Sequence, residues 1–218
     1  MPFSRANAEM EVKRQCSAAF TLIELLVVIV IIAVLMGLAF PVFSSIQNQA
    51  KKTQAKNDLT QIVTAVNAFY TEYGKYPLPS TASGDGYSVG DGTTSSKAMF
   101  DALRGLDPVL NPRQIVFISP AEDTTQASPK GKLGSDGQFH DPWSSPYSIR
   151  VDADYDNKVP NPYGTNGAGA DPLRQGVIAW SLGKNGALGG GPAASSAFDK
   201  EPGSANTYTS SGDVISWQ

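Results

Sequence analysis

The sequence predicts an α+β protein in which one long N-terminal helix packs on a small antiparallel β-sheet with long loops. Three patterns predict this fold: an apolar run over residues 20–40, an amphipathic stripe over residues 41–73, and short β-type runs between loops rich in glycine, serine, proline and aspartate. The chain of 218 residues is long enough for one globular domain with an appendage, and too short for two hydrophobic cores of ordinary size.

Residues 20–40 form an apolar run that contains one charged residue, Glu24. As a helix that rises about 1.5 Å per residue, the run covers roughly 30 Å, the thickness of the hydrocarbon core of a bilayer. We therefore expect a single transmembrane segment. A charged group inside such a segment costs roughly 2.5–3.5 kcal/mol, so Glu24 indicates a function and a partner.

A cut between Ala19 and Phe20 would create that partner. The new α-amino group of Phe20 in one copy could pair with Glu24 of a neighbouring copy inside an apolar bundle, and the pair would set the axial register between subunits. In the alternative interpretation, Glu24 only occupies the first turn of the helix, where the helix dipole favours an anion.

Two other interpretations of the N-terminus are a plain membrane anchor and an ordinary secretory signal cut after Ala39. An ordinary signal has an apolar run of about 7–15 residues, whereas here a polar lead of residues 1–19 precedes a run of full spanning length. A plain anchor gives no reason for Glu24. The pattern therefore favours a cut before Phe20.

The apolar pattern changes to a stripe after Pro41, with many three- and four-residue spacings, and predicts one helix over residues 20–73. We expect Pro41 to bend or loosen this helix, because proline has no amide hydrogen to donate. Gly74 and Pro77 terminate the helix. The residues of the stripe are Ile46, Ala50, Leu59, Ile62, Val63, Val66, Phe69, Tyr70 and Tyr73.

Residues 74–218 are predicted to form the globular domain, most of whose first half is loop. A short helix is expected near residues 97–106. A small antiparallel sheet laid against the stripe of the long helix would close one core without a second domain. The predicted strands cover residues 114–118, 146–151, 176–182 and 213–217.

Charge and residue counts exclude several classes of function. The 17 Lys and Arg residues against 20 Asp and Glu give a net charge of -3 with no dense basic run, so nucleic acid is not an expected partner. One cysteine, Cys16, and one histidine, His140, exclude a disulfide framework and a His-based metal cluster. His140 lies beside Asp141 without an activated serine motif, so we expect a surface-loop histidine and no enzymatic activity.

Residues 19–35, AFTLIELLVVIVIIAVL, resemble the prepilin signature of the type IV pilin-like family, with Ala19 where the family usually has glycine. Residues 73–77, YGKYP, and 141–147, DPWSSPY, resemble motifs of the major pseudopilins of type II secretion systems. The resemblance implies a type IV pilin-like fold. It also implies that a prepilin peptidase removes a cytoplasmic leader of residues 1–19 and methylates the new N-terminus.

The resemblance further implies a place and partners. The chain would be a single-pass inner-membrane protein with its globular domain in the periplasm, until residues 20–40 join the core of a filament that drives protein export. Expected partners are further copies in a helical homopolymer, other pseudopilins, prepilin peptidase and the inner-membrane platform of the secretion system. The alternatives are a type IV pilin or minor pilin of an adhesion, motility or DNA-uptake pilus, and a secreted ligand-binding domain behind an ordinary signal peptide.

Residues 181–186, SLGKNG, and 211–217, SGDVISW, resemble the segment that wraps a calcium ion in major pseudopilins. The resemblance implies that calcium is bound by the Leu182 carbonyl, the Asn185 side chain and the Asp213 carboxylate. These are oxygen ligands, which calcium requires.

The ligand set differs from the common pattern of that family. Asn185 and Ser211 stand where the family commonly has aspartate, so the ligand charge falls, and Asp199 or Glu201 could supply a replacement carboxylate. The alternative is a metal-free loop in which Asp213 caps a turn.

A second acidic group, Asp152, Asp154, Asp156 and Asn157, resembles the start of an EF-hand loop. Its sixth position is not glycine, and its twelfth is Tyr163 rather than a bidentate glutamate. We expect a strand end and a solvated turn here in preference to a cation site.

Overall fold

The residues that the computed structural model describes are 20–84, 86–165, 168–186, 188, 208 and 211–218. In the long helix, the side chains of residues 38–44 lie outside this description. The predicted leader, residues 1–19 with Ala19, lies outside it as well. The chain divides into two compact units, Met1–Ile46 and Gln47–Gln218.

The predicted long helix is present as α1, Leu22–Tyr73, with 52 residues. It ends where Gly74 takes a φ of +66° and its amide donates to the Tyr70 carbonyl at 2.8 Å, the left-handed cap that glycine allows. Pro41 lies within α1, and the bend predicted there stays a prediction. Among the described residues, which omit the side chains of 38–44, no helix is both long enough and apolar enough to cross a membrane.

The part of α1 in the unit Gln47–Gln218 buries one face. The fully buried side chains follow the period of a helix, which confirms the amphipathic stripe, and they are Ala55, Leu59, Ile62, Val66 and Phe69. Three other residues predicted for the stripe, Ile46, Ala50 and Tyr70, are exposed.

A four-stranded antiparallel sheet follows, in which the first, fourth, fifth and sixth strands of the chain pair in that spatial order. The second and third strands pair as a short parallel ladder. Strands predicted near residues 146–151, 176–182 and 213–217 are confirmed as the last three. In chain order the elements are β1 (Tyr87–Val89), α2 (Lys97–Leu103), β2 (Glu122–Asp123), β3 (Leu133–Gly134), β4 (Ser148–Val151), β5 (Val177–Ser181) and β6 (Val214–Ile215).

The prediction of a strand over residues 114–118 is wrong. Gln114 has a φ of +52°, and the Asn111 side chain holds Ile115 in a loop. Its amide nitrogen donates to the Ile115 carbonyl at 2.7 Å, and its amide oxygen accepts from the Ile115 amide at 3.0 Å. These bonds satisfy backbone groups that a strand would offer to a neighbour, so the segment forms no ladder, and Ile118 is buried while Val116 is exposed.

A first core lies between α1, α2 and one face of the main sheet. The sheet contributes alternate residues of its central strands, as the pleat requires. Its members from β4, β5 and α2 are Ile149, Val151, Val177, Ala179, Met99, Phe100, Ala102 and Leu103.

A second core covers the opposite face of the sheet, where the sequence predicts none. Ile178, Trp180 and Ile215 project to this face and pack with side chains from the excursion between β4 and β5, namely Val159, Tyr163, Ala168 and Leu173. All five residues of β5 are buried, because the strand is covered on both faces. The expectation of a single core is therefore corrected to one sheet between two apolar clusters.

Candidate functional site

The N-terminus of α1 is a capping box. The Glu24 carboxylate accepts from the Thr21 amide at 2.8 Å and from the Thr21 hydroxyl at 2.6 Å, while the Glu24 amide donates back to that hydroxyl at 3.3 Å. This reciprocal pairing satisfies amides that the first helical turn leaves without partners. Sequence reasoning missed the role of Thr21, although the spacing Thr-x-x-Glu signals it.

The described residues 20–37 form an apolar rod, a name used here for this segment. Every side chain in the rod is exposed, from Phe20 at 83% to Met36 at 66%. Apolar surface of this extent marks a membrane or protein interaction site. Glu24 is the charged residue of the rod, so the geometry combines one carboxylate with an otherwise apolar surface.

The DPWSSPY segment, residues 141–147, ties the sheet to α1. The buried Asp141 carboxylate accepts from the Trp143 and Ser145 amides, each at 2.9 Å, and from the Ser181 hydroxyl at 2.6 Å. Burial raises the pKa of Asp141, and these hydrogen bonds oppose the rise. The motif thus organises its own turn and contacts the end of β5.

Tyr147 makes the connection to α1. Its hydroxyl donates to the Asp58 carboxylate at 2.8 Å, and its ring is fully buried. Burial and the nearby Asp58 raise the pKa of Tyr147, and burial raises the pKa of Asp58. Sequence reasoning did not find this pair, because the two residues lie 89 positions apart.

The predicted calcium ligands lie at one end of the β5–β6 ladder. The last register pair joins Ser181 to Val214, which places Leu182 opposite Asp213. The two backbones are close, since a Cβ added to Gly183 would lie 2.5 Å from the Gly212 carbonyl oxygen. Asn185 follows in the same turn and is half-buried.

The Asp213 carboxylate is buried and accepts from the Tyr163 hydroxyl at 2.7 Å. Burial, then the Asp213 charge, raise the pKa of Tyr163, and the same two causes raise the pKa of Tyr208. A negative charge held at such a site is the kind that a cation stabilises.

These residues offer oxygen donors, the type that calcium takes. The Leu182 carbonyl, the Asn185 side chain and the Asp213 carboxylate would hold the ion, which would supply positive charge at the loop when bound. Calcium takes six to eight oxygens, so the set needs more. The suggested replacements, Asp199 and Glu201, lie outside the described residues.

The second acidic group behaves as a turn. Carboxylate oxygens of Asp152, Asp154 and Asp156 lie within 4.8 Å of one another, yet Asp152 accepts from the backbone amides of Tyr155 and Asn157, both at 2.7 Å. Burial, then the neighbouring Asp154, raise the pKa of Asp152. The expected strand end and turn are present.

His140 is buried, which corrects the expectation of a surface-loop histidine. Its side chain is 2% exposed, and its Nε2 lies 3.1 Å from an Asp136 carboxylate oxygen. Burial lowers the pKa of His140, and Asp136 opposes this shift. Backbone hydrogen bonds hold the chain on both sides of the ring, because the His140 amide donates to the Lys132 carbonyl at 3.0 Å and the Tyr147 amide donates to the Phe139 carbonyl at 2.9 Å.

Comparison with known proteins finds similarity over part of the chain. Residues 14–40 match the family model of the prokaryotic N-terminal methylation motif. The chain is 40% identical over 57 residues to the type IV major pilin protein PilA of Myxococcus xanthus, covering 26% of each chain. It is 38% identical over 72 residues to the type II secretion system core protein G of Pseudomonas aeruginosa, covering 33% of this chain and 49% of that protein.

The alignments span about a quarter and about half the length of these two relatives. No solved structure matches the chain. The methylation motif, the two relatives and the helix packed on a small antiparallel sheet support a type IV pilin-like protein, and they do not separate a pilin from a pseudopilin.

Proposed function

We propose that the chain is a structural, non-enzymatic subunit of a type II secretion pseudopilus. Prepilin peptidase removes residues 1–19 and methylates Phe20, and the processed subunit waits in the inner membrane with its globular domain in the periplasm. The subunit then leaves the bilayer and joins a helical filament of its own copies and other pseudopilins, which works with the inner-membrane platform to drive protein export.

The observation that carries this proposal is the apolar rod with one carboxylate near its tip. An isolated exposed rod of this composition is unfavourable in water, so it is covered either by lipid or by other rods. The same surface serves both states, because lipid tails and aliphatic side chains are equally apolar.

Glu24 has the capacity for a second role. A carboxylate accepts about four hydrogen bonds, and Thr21 uses one of its two oxygens, Oε2. The side chain is exposed, so the N-terminal ammonium of Phe20 in a neighbouring copy can reach it. Within a bundle of rods the pair would neutralise two charges that are costly when buried alone.

The motifs YGKYP and DPWSSPY favour a pseudopilin over a pilin. The second motif builds the Asp141 turn and the Tyr147 bond to α1, and the alignment with core protein G covers more of this chain than the alignment with PilA. A type IV pilin is the second candidate, and the 40% identity of this chain to PilA over 57 residues favours it.

We also propose that calcium binds at the end of the β5–β6 ladder. Leu182, Asn185 and Asp213 would hold the ion, and the support is that the register brings a carbonyl and a buried carboxylate to one place. The ion would join the residues that follow β5 to the residue that precedes β6, and would stabilise the domain.

Mass spectrometry of the native chain tests processing. We expect a mature N-terminus of N-methylated Phe20, whereas a start at Phe40 would support an ordinary signal peptide and an intact leader would contradict the proposal. Deletion of the gene then separates the two filament functions. Loss of protein export with surface pili retained is expected, and loss of pili with export retained would assign the chain to a pilus.

A further inference from the structure

Two segments that stand apart in the sequence form one hydrogen-bonded unit. Asp141 opens the DPWSSPY segment, and Ser181 ends β5, 40 positions later. The Ser181 hydroxyl donates to Asp141 Oδ2 at 2.6 Å and accepts from the Gly183 amide at 3.1 Å. All three residues are buried, so water does not compete for these bonds.

The hydroxyl controls the direction of the backbone at residues 182–183. Gly183 has a φ of +63°, which glycine adopts without strain. Its amide is held by Ser181, so the peptide between Leu182 and Gly183 has a fixed orientation, and the Leu182 carbonyl belongs to that peptide. The turn also passes near the DPWSSPY segment at Gly186, where a Cβ added to the glycine would lie 3.7 Å from the Ser145 hydroxyl.

Asp141 itself is poorly suited to be a calcium ligand. Its two oxygens accept from two backbone amides and from the Ser181 hydroxyl. The carboxylate is therefore already occupied by donors of the protein. Its charge-assisted bond to Ser181 is stronger than a bond between neutral groups. The geometry suits a carboxylate that holds the Ser181 hydroxyl in place.

We propose that Asp141 and Ser181 are positioning residues for the cation loop, residues 182–186 with Asp213. Asp141 orients the Ser181 hydroxyl, the hydroxyl fixes the Leu182–Gly183 peptide, and the peptide presents the Leu182 carbonyl to the ion. The DPWSSPY segment thereby sets calcium affinity without contacting calcium. This inference rests on the calcium site of the proposed function.

Calcium titration of the mature full-length chain in detergent micelles tests the inference. Ser181→Ala removes the hydroxyl and is expected to weaken calcium binding about tenfold, the loss of one hydrogen bond to a charged group. Ser181→Thr keeps the hydroxyl and should restore affinity to within a factor of two or three. Asp141→Asn, which keeps the shape of the side chain, serves as a second variant and should weaken binding in the same direction.

Tyr147→Phe is the matched control. It removes a buried hydrogen bond of the same segment, the one to Asp58, and does not touch the cation loop. It should lower the calcium-free melting temperature while leaving the calcium Kd unchanged. A purely structural role of Ser181 would give the same pattern in Ser181→Ala.

The outcomes are distinguishable. Equal calcium Kd in the wild type and Ser181→Ala would overturn this inference and leave the calcium site standing. Failure of the wild type to bind calcium would overturn the calcium site and this inference together, while the filament function would be unaffected.

Discussion

In the apolar rod, residues 20–37, every apolar side chain is exposed, whereas further along α1, in the unit Gln47–Gln218, one face is buried against the sheet. The sequence explains the difference. The part of α1 in the unit Gln47–Gln218 interleaves polar and apolar residues, which suits a helix with one solvent-exposed face. The rod is apolar on all sides apart from its tip. One region completes its own core, and the other presents its apolar surface.

This contrast separates stability from assembly within one helix. Substitutions on the buried stripe should change the folding of the globular unit, and substitutions on the rod should change what the subunit inserts into or associates with.

The largest expected effect comes from Leu59→Ala compared with Leu25→Ala. Leu59 is fully buried and Leu25 is 61% exposed, so the same chemical change should cost about 2–5 kcal/mol of unfolding free energy at Leu59 and less than about 0.5 kcal/mol at Leu25. Urea unfolding followed by tryptophan fluorescence measures both. Equal losses would show that the rod belongs to the folding unit.

Calcium removal should have the next largest effect, and only on the globular unit. At a calcium concentration 100 times Kd, binding stabilises by about 2.7 kcal/mol, so a chelator should lower the melting temperature by roughly 5–10 °C. Asp213→Asn keeps an acceptor for the Tyr163 hydroxyl but removes the charge, and should abolish the response. A wild-type melting temperature that is unchanged by the chelator would exclude the calcium site.

A smaller effect is expected from acid through His140. Because burial lowers the folded pKa of His140, the unfolded chain binds the proton more readily, and stability should fall as pH drops below about 6.5 toward the folded pKa. His140→Gln should show a shallower loss between pH 7.5 and 5.5 in urea unfolding. The raised pKa values of Asp58 and Asp141 act with the opposite sign and remain in both proteins, so identical pH slopes would contradict the assignment to His140.

The sequence predicts those features whose signal is local. The period of the stripe located α1, and the β-type runs located β4, β5 and β6. β1 is missed because a strand of three residues, Tyr87–Val89, is too short to show a β-type pattern in the sequence. It forms through its pairing with β4. The second core is missed because a strand that is apolar at successive positions needs cover on both faces, and the predicted arrangement supplied a helix on one face.

The candidate sites show the same limit. Glu24 stands out as a charge in an apolar run, and its local partner Thr21 was recoverable from spacing alone. The bond from Asp141 to Ser181 and the burial of His140 depend on contacts between distant segments. No pattern within one segment reports such contacts, so tertiary structure is needed to connect the motifs that the sequence shows separately.

We propose that the charge of Glu24, rather than its capping bonds to Thr21, holds the rods of neighbouring subunits in register. Glu24→Gln preserves the capping box, because glutamine also serves at that position, and removes the charge. Thr21→Val removes the cap and keeps the charge, at a cost of about 1 kcal/mol to the helix end. Mass spectrometry should show the leader removed in both variants.

Filament yield, measured by cross-linking and sedimentation of the assembled polymer, decides between them. We predict filaments from Thr21→Val near the wild-type yield and none from Glu24→Gln. Filaments at the wild-type yield from the processed Glu24→Gln chain would contradict the claim.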